Sequence, residues 1–246
     1  MAYEAFSEIY DKFMNNIDYE QWVCYIEEIW QKFGLKPELV ADLACGTGNI
    51  TIPLSQKGYD MIGVDISPDM LMQARLKAGS DSGILFLEQD MRSFELYGTV
   101  DCCLCMVDGL NYILEEDELL QVFKLAHNYL NPNGMFIFDL NTIYKFQHIL
   151  GDNSFCETDE DAAIIWENCY DDETFIHEYY VNMFIETEDG LYERYEEAHY
   201  QRGYPAEVII KLLNAAGFEI AGIFNPLTFD NYSDTSEKMV FAVIKK

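Results

Sequence analysis

The sequence predicts an α/β fold: a mainly parallel sheet covered by helices on both faces, interrupted late in the chain by an antiparallel meander. Three observations predict it. Between Leu39 and Leu140, short apolar runs alternate with amphipathic stretches, the rhythm of a sheet buried on both sides. Residues 151–203 are instead rich in aromatic and β-branched residues, with turn signals and no helical period. The chain has 246 residues, half of them hydrophobic, enough for one core carrying a sizeable insertion.

Each element follows in order. Over residues 3–33, apolar positions recur at three- and four-residue steps through Trp22, Tyr25, Ile26, Ile29, Trp30 and Phe33, predicting a helix with one buried face that Gly34 stops. Leu39–Ala44 is the first sheet strand, with a turn at Cys45–Gly48. Asn49–Lys57 is a short helix that must place Pro53 in its first turn or distort. Tyr59–Val64 is the second strand. Ser67 and Pro68 are the cap and first residue of a helix reaching about Ala78. Ile84–Glu88 and Val100–Val107 are the third and fourth strands. Asp117–Leu130 is a helix, stopped by "NPNG", and Met135–Leu140 is the fifth strand. The stretch 151–203 reads as a meander of three or four strands turning at "DDET" and "EDG". Pro205–Ala216 returns to helix with Gly217 as its stop, and Phe218–Asn225 and Lys238–Ile244 close the sheet.

Composition narrows function. Fifteen basic against 44 acidic residues leave a formal charge of −29. Such a chain repels phosphate backbones and anionic lipid, and no basic stripe offsets this, so nucleic acid and membrane partners are disfavoured and a neutral or cationic small molecule is favoured. No run of about 18 apolar residues occurs, and the N-terminus lacks a signal-peptide pattern, so a cytoplasmic protein is expected. The seven cysteines suit reduced thiols. Cys102, Cys103 and Cys105 lie on one strand and alternate between its faces, so they read as core and no metal site is expected.

The chemistry concentrates at "VADLACGTGNITIPLSQKGYDMIGVDIS", Val40–Ser67. Ligands of open parallel sheets bind beyond the carboxyl ends of the strands. Gly46 and Gly48 permit positive φ and remove the Cβ atoms that would obstruct a ligand. Asp65 ends the next strand, where a carboxylate can accept from both hydroxyls of a ribose. Thr51 stands where a dinucleotide fingerprint needs its third glycine, which leaves the close approach of a pyrophosphate poorly supported and makes a nicotinamide dehydrogenase the last alternative.

"DLACGTGNIT" resembles the signature loop of the class I S-adenosylmethionine-dependent methyltransferases, and "VDISPDML", "FLEQDMRSF", "DCCLCMVDGLNYI", "LNPNGMFIFDLN" and "LLNAAGFEI" resemble its later motifs. The branch that begins with a "YDxFM"-like helix and carries an inserted sheet, including the sugar N,N-dimethyltransferases, is most similar. The resemblance implies a Rossmann-like seven-stranded sheet of order 3-2-1-4-5-7-6 with strand 7 antiparallel. It divides the chain into a cofactor-binding domain at 1–150 and 204–246, residues 1–34 of it a helical lid, and an inserted sheet at 151–203 that covers substrate or forms a homodimer surface.

The same resemblance implies roles. Asp42 would lie near the amino group of S-adenosylmethionine, with Ala44, Gly46 and Gly48 against its methionine part. Asp65 would hold the ribose, Ile66 and Met70 would flank the adenine, and Asp90 and Met91 would read it. Met106, or its neighbour Val107, would supply a backbone contact near the ammonium, and Tyr10 of the lid would reach the methionine carboxylate or the acceptor. Asp108, Asn111, Tyr112, Asp139, Asn141, Trp166, His199, Tyr200 and Arg202 are the acceptor-side candidates. Tyr10, Asp108, Asn111 and His199 are the catalytic candidates among these residues. The expected activity is N- or O-methylation of a metabolite or amino sugar, yielding S-adenosylhomocysteine. The alternatives are methylation of tRNA or protein, and a cofactor-binding protein without turnover.

Overall fold

The computed structural model describes residues 17–187 and 189–246. Tyr10 and the first part of the predicted N-terminal helix lie outside the described residues. What is described of that helix is α1, Tyr19–Phe33. The Asp18 carboxylate accepts the Gln21 N–H at its start, and Gly34 ends it in the left-handed region at φ 74°, the conformation that glycine adopts at least cost. Its buried stripe of Trp22, Ile26, Ile29 and Trp30 lies on one face of the main sheet.

The main sheet comprises β1 (Leu39–Leu43), β2 (Asp60–Asp65), β3 (Leu85–Glu88), β4 (Val100–Cys105), β5 (Leu130–Asn141), β10 (Phe218–Phe224) and β11 (Lys238–Lys245). Its order is β10-β11-β5-β4-β1-β2-β3. Strands β1 to β5 pair in parallel, and β11 runs antiparallel to both β5 and β10. With the four inserted strands set aside this is the expected 3-2-1-4-5-7-6. The crossovers include α2 (Thr51–Gln56), α3 (Pro68–Ala78) and α4 (Glu116–Tyr129), and α5 (Ala206–Ala216) leads into β10. Phe123, Phe136, Phe138, Phe241 and Leu213 pack between the sheet and α4 and α5. The cysteines of β4 divide as a strand requires: Cys102 joins the α1 side, where it accepts the Trp30 indole N–H at 3.3 Å, and Cys103 and Cys105 join the other.

Two boundaries depart from expectation. The "NPNG" segment does not follow the helix as a loop but forms the first part of β5. Pro132 forces its predecessor out of the helical region, and Asn133 at φ 64° with the register shift against Val100–Cys102 makes a bulge. Gly134 is required there, since a Cβ would come within 2.9 Å of the carbonyls of Asn131 and Asp101. The turn of π-helix at Lys145–Leu150, which carries the chain from β5 into the insertion, has no counterpart in the sequence reading.

The insertion forms its own antiparallel sheet of β6 (Ser154–Thr158), β7 (Ala162–Asp171), β8 (Ile176–Glu186) and β9 (Tyr192–Arg202). Ala162, Ile164, Val181 and Met183 form a small core on one face. That face is fastened to the main sheet at its β8–β9 end. Phe146 stacks on His177 with ring centres 4.9 Å apart, and the Asn111 amide donates to the carbonyls of Asn141 and Arg202.

His177 is 1 % exposed and neither ring nitrogen has a hydrogen-bond partner. Burial first, and then the charge of Lys145, pushes it from 6.5 down to about 4. The folded state thus resists protonation, and the stability present above the ordinary value is lost as pH falls from 6.5 toward 4. Comparing urea unfolding at pH 7 and 4.5, His177→Phe should escape about 2–3 kcal/mol of the acid-side loss seen in the wild type. Equal losses in both proteins would disprove the assignment.

Candidate active site

The site begins with two strand ends. Beyond β1 the backbone turns through Ala44 (φ 53°), Gly46 (φ 53°) and Gly48 (φ 81°). A Cβ on Gly46 would meet nothing within 4 Å, so the open side of the turn is bare main chain. The Asp65 carboxylate, at the end of β2, ties the two ends together by accepting N–H groups from Gly46 at 2.8 Å and Ser67 at 2.9 Å. Each of its oxygens keeps a lone pair for a further donor. Burial raises its pKa, and those N–H groups offset part of the rise.

A groove of about 200 Å³ opens beside it, lined by Ala44, Asp65, Ile66, Gln89, Asp90, Met91, Arg92, Tyr112 and Ile113. Five of the expected cofactor residues, Ala44, Asp65, Ile66, Asp90 and Met91, thus share one groove with Tyr112, expected on the acceptor side. Ile66 is 63 % exposed at its rim, an apolar surface left for a flat ring to cover. Asp90 accepts the Arg92 guanidinium through both oxygens and also the Arg92 N–H, and this bonding holds its carboxyl below the ordinary range. An adenine amino group would therefore share Asp90 with Arg92.

Asp42 lies deeper, 2 % exposed, and accepts the Thr51 hydroxyl at 2.5 Å. Burial pushes it to about 7, the Thr51 bond opposing and Asp65 adding to the rise. Asp42 thus supports the turn from beneath. Thr51 was read from sequence only as a missing glycine; its hydroxyl is what this fold uses at that position. Met70 is half-buried in the first turn of α3, where its N–H donates to the Ser67 cap at 3.2 Å. Met106 is buried just past β4, on the α1 side.

The acceptor-side candidates separate into two groups. Asp108 and Asp139 converge on Lys238, which the sequence reading did not single out: its ammonium bonds Asp108 and reaches Asp139 at 2.7 Å. Asp139 also accepts the Val107 N–H at 2.5 Å, and Val107 and Asp108 sit at φ 60° and 68°. Burial acts to raise Asp108, but Lys238 and then Lys145 outweigh it and hold it below the ordinary range. Burial raises Asp139 despite Lys238, with Asp108 adding to the rise. Asn141 accepts from Lys145 at 2.9 Å, and its main chain exchanges bonds with the Asn111 amide. Asn111 and Asn141 are both buried. This group is a cross-linked network at the ends of β4, β5 and β11, and Asn111 works as a clip rather than a free catalytic amide.

The second group is on the inserted sheet. Tyr112, on the 3₁₀ turn Gly109–Tyr112, meets Tyr179 of β8 hydroxyl to hydroxyl at 2.7 Å and His199 Nδ1 of β9 at 3.4 Å. Tyr200 does not join them. As the neighbour of His199 on a strand it projects from the opposite face, 42 % exposed, beside Glu178 and Tyr180. Trp166 shares the His199 face but packs in the sheet's own core, its ring 5.6 Å from Phe155. Arg202 donates to the Leu114 carbonyl at 2.7 Å and lies 5.1 Å from the Tyr204 ring. It therefore braces the start of α4 and is not placed as a substrate anchor. The periodicity of β9 would have separated His199 from Tyr200 in advance.

A seven-stranded sheet with a reversed seventh strand, bare turns after β1 and a carboxylate after β2 define the S-adenosylmethionine-dependent methyltransferase class. A methyltransferase domain model matches residues 40–134. A protein of Geobacillus sp. (strain WCH70) named as a methyltransferase is 35 % identical over 251 residues, covering all of both chains. The crystal structure of an S-adenosylmethionine-dependent methyltransferase from Clostridium acetobutylicum ATCC 824 superposes with a TM-score of 0.89 at 31 % identity, over 100 % of this chain and 99 % of that one. The structure of the sugar N-methyltransferase KedS8 from Streptoalloteichus sp ATCC 53650 shares the fold at a TM-score of 0.80 and 18 % identity, over 96 % and 92 %. The chain belongs to the methyltransferase family, and it is an S-adenosylmethionine-dependent enzyme.

Proposed function

We propose that the enzyme methylates a nitrogen or oxygen of a small-molecule acceptor, such as an amino sugar or another amine-bearing metabolite. The observation that carries this reading is the meeting of Tyr112 with Tyr179 and His199. It sets an aromatic face of the inserted sheet beside the groove that ends at Asp65. That face carries tyrosines and a histidine rather than a basic track, and a chain of charge −29 opposes nucleic acid. The sheet at 151–203 serves here as the acceptor's cover.

S-adenosylmethionine supplies an electrophilic methyl group on a sulfonium. Asp65 would hold its ribose, Ile66 and Met91 its adenine, and the main chain of Ala44–Gly48 its methionine part. The chain's work is then to hold the nucleophile in line with the methyl at about 3 Å and to exclude water.

The test measures S-adenosylhomocysteine formed from S-adenosylmethionine against amino sugars, small amines, hydroxy compounds, tRNA and a protein extract. The reading expects turnover with a compound from the first three sets and no tRNA shift at low salt. Turnover confined to tRNA or protein would overturn it. Cofactor binding without turnover on any acceptor would favour a binding protein.

A further inference from the structure

A pair of buried groups on β9 lies behind the acceptor wall. His199 and Glu197 are two residues apart and share a face. His199 Nε2 lies 3.0 Å from Glu197 Oε2, with both side chains almost wholly shielded. An ionised carboxylate only accepts, so the ring must carry its proton on Nε2, and Nδ1 presents a lone pair. The Tyr112 hydroxyl stands 3.4 Å from that lone pair and 2.7 Å from the Tyr179 hydroxyl. The Tyr179 ring stacks on His199 at 4.9 Å and 11°, fixing the imidazole plane. The other oxygen of Glu197, Oε1, is buried without a hydrogen-bond partner. A buried carboxylate half-satisfied by one neutral N–H is costly, and a positive charge arriving on the neighbouring ring would balance it.

We infer that Tyr112, His199 and Glu197 form a proton relay that draws a proton from an acceptor bound as an ammonium ion against Tyr112 and Tyr179. This rests on the amine reading of the acceptor given above. Small amines arrive protonated at neutral pH and have no lone pair to attack with. The ammonium N–H passes its proton to the Tyr112 oxygen while the Tyr112 O–H proton passes to His199 Nδ1. The electron pair left on nitrogen forms the bond to the methyl carbon. The carbon–sulfur bond breaks with its pair remaining on sulfur, giving S-adenosylhomocysteine, and the imidazolium later loses its proton to water. Tyr112 touches the substrate; His199 receives the proton through it. Glu197 is a positioning residue that fixes the tautomer and balances the imidazolium.

The groups that face His199 among the described residues are Glu197 on its own strand, Tyr179 of β8 with His177 one register further on, and Tyr112 from the 3₁₀ turn. The experiment uses the full chain carrying ¹⁵N-histidine and saturated with S-adenosylhomocysteine. The relay expects His199 protonated at Nε2 and bare at Nδ1, with saturable movement of the Nδ1 signal when methylammonium chloride is added. In Glu197→Gln the tautomers should mix, and in Tyr112→Phe the movement should shrink several-fold. A proton on Nδ1 in the wild type, or no movement with methylammonium, would overturn the relay. With any amine that turns over, His199→Gln should lower kcat at least about 100-fold and move the acid limb of the pH profile up toward the pKa of the free ammonium ion, since only amine already deprotonated in solution can then react, leaving the KM for S-adenosylmethionine within about twofold of wild type. An unchanged acid limb would likewise overturn it. Methylation of alcohols alone would instead sink the amine reading, and melting curves separate either result from misfolding.

Discussion

Lys238→Met should destabilise the fold by about 3–5 kcal/mol, because it leaves the fully buried Asp139 and the partly buried Asp108 without the cation they share. Lys238 is enclosed where β11 passes the ends of β4 and β5, and its ammonium bonds Asp108 and Asp139. Burial alone would lower its pKa, yet the two carboxylates hold it above the ordinary lysine range. Asp139 has no exposed surface, so water cannot replace the lost partner. Lys145 is left to face both acids, and burial already lowers its own pKa. Urea denaturation at pH 7.5 reads the loss. A second substitution separates charge from packing: Asp139→Asn in the Lys238→Met background should recover part of the stability, although the same change in the wild type should not stabilise. A loss under about 1 kcal/mol for Lys238→Met would show that the network does not depend on this lysine.

Asp65→Ala should weaken S-adenosylmethionine binding by about 1.5–3 kcal/mol, the scale of hydrogen bonds to a charged group, or roughly 10- to 150-fold in Kd. The carboxylate joins the ends of β1 and β2 by accepting the Gly46 and Ser67 N–H groups. Its loss removes the ribose acceptor and one tether of the bare turn together. S-adenosylhomocysteine shares the ribose and should lose the same factor, which calorimetry with both ligands checks. A loss seen with only one of the two would place the effect at the sulfonium end. Wild-type affinity for both would refute the ribose assignment.

The main sheet was largely legible because parallel strands buried on both faces are written as uninterrupted apolar runs, as in "MFIFDL" and "DCCLC". Their spatial order was not, since periodicity says nothing about which strand lies beside which; it came from the chain of motifs. The "NPNG" bulge escaped because proline and glycine punctuate loops and bulges alike, and only the proximity of the Asp101 carbonyl to Gly134 distinguishes them. The groove beside the ends of β1 and β2 is made of local features, glycines in one turn and an acid at one strand end, which a sequence displays directly. The residues expected on the acceptor side are joined by long-range contacts. Lys238 lies 99 and 130 residues from the acids it joins, and nothing near it in the chain marks it. Glu197 lies inside "YERYEE", which reads as a solvated acidic strand until the turn carrying Tyr112 packs against one face of β9. The two-residue period of a strand, applied to β9, sets Tyr200 on the face opposite His199.

The most direct measurement is a crystal structure of the full chain with S-adenosylhomocysteine. The account requires adenosine in the groove between Ile66 and Met91, both ribose hydroxyls on the Asp65 carboxylate, and the amino-acid tail along the backbone of Ala44–Gly48. Adenosine found elsewhere, or a ribose with no contact to Asp65, would contradict it.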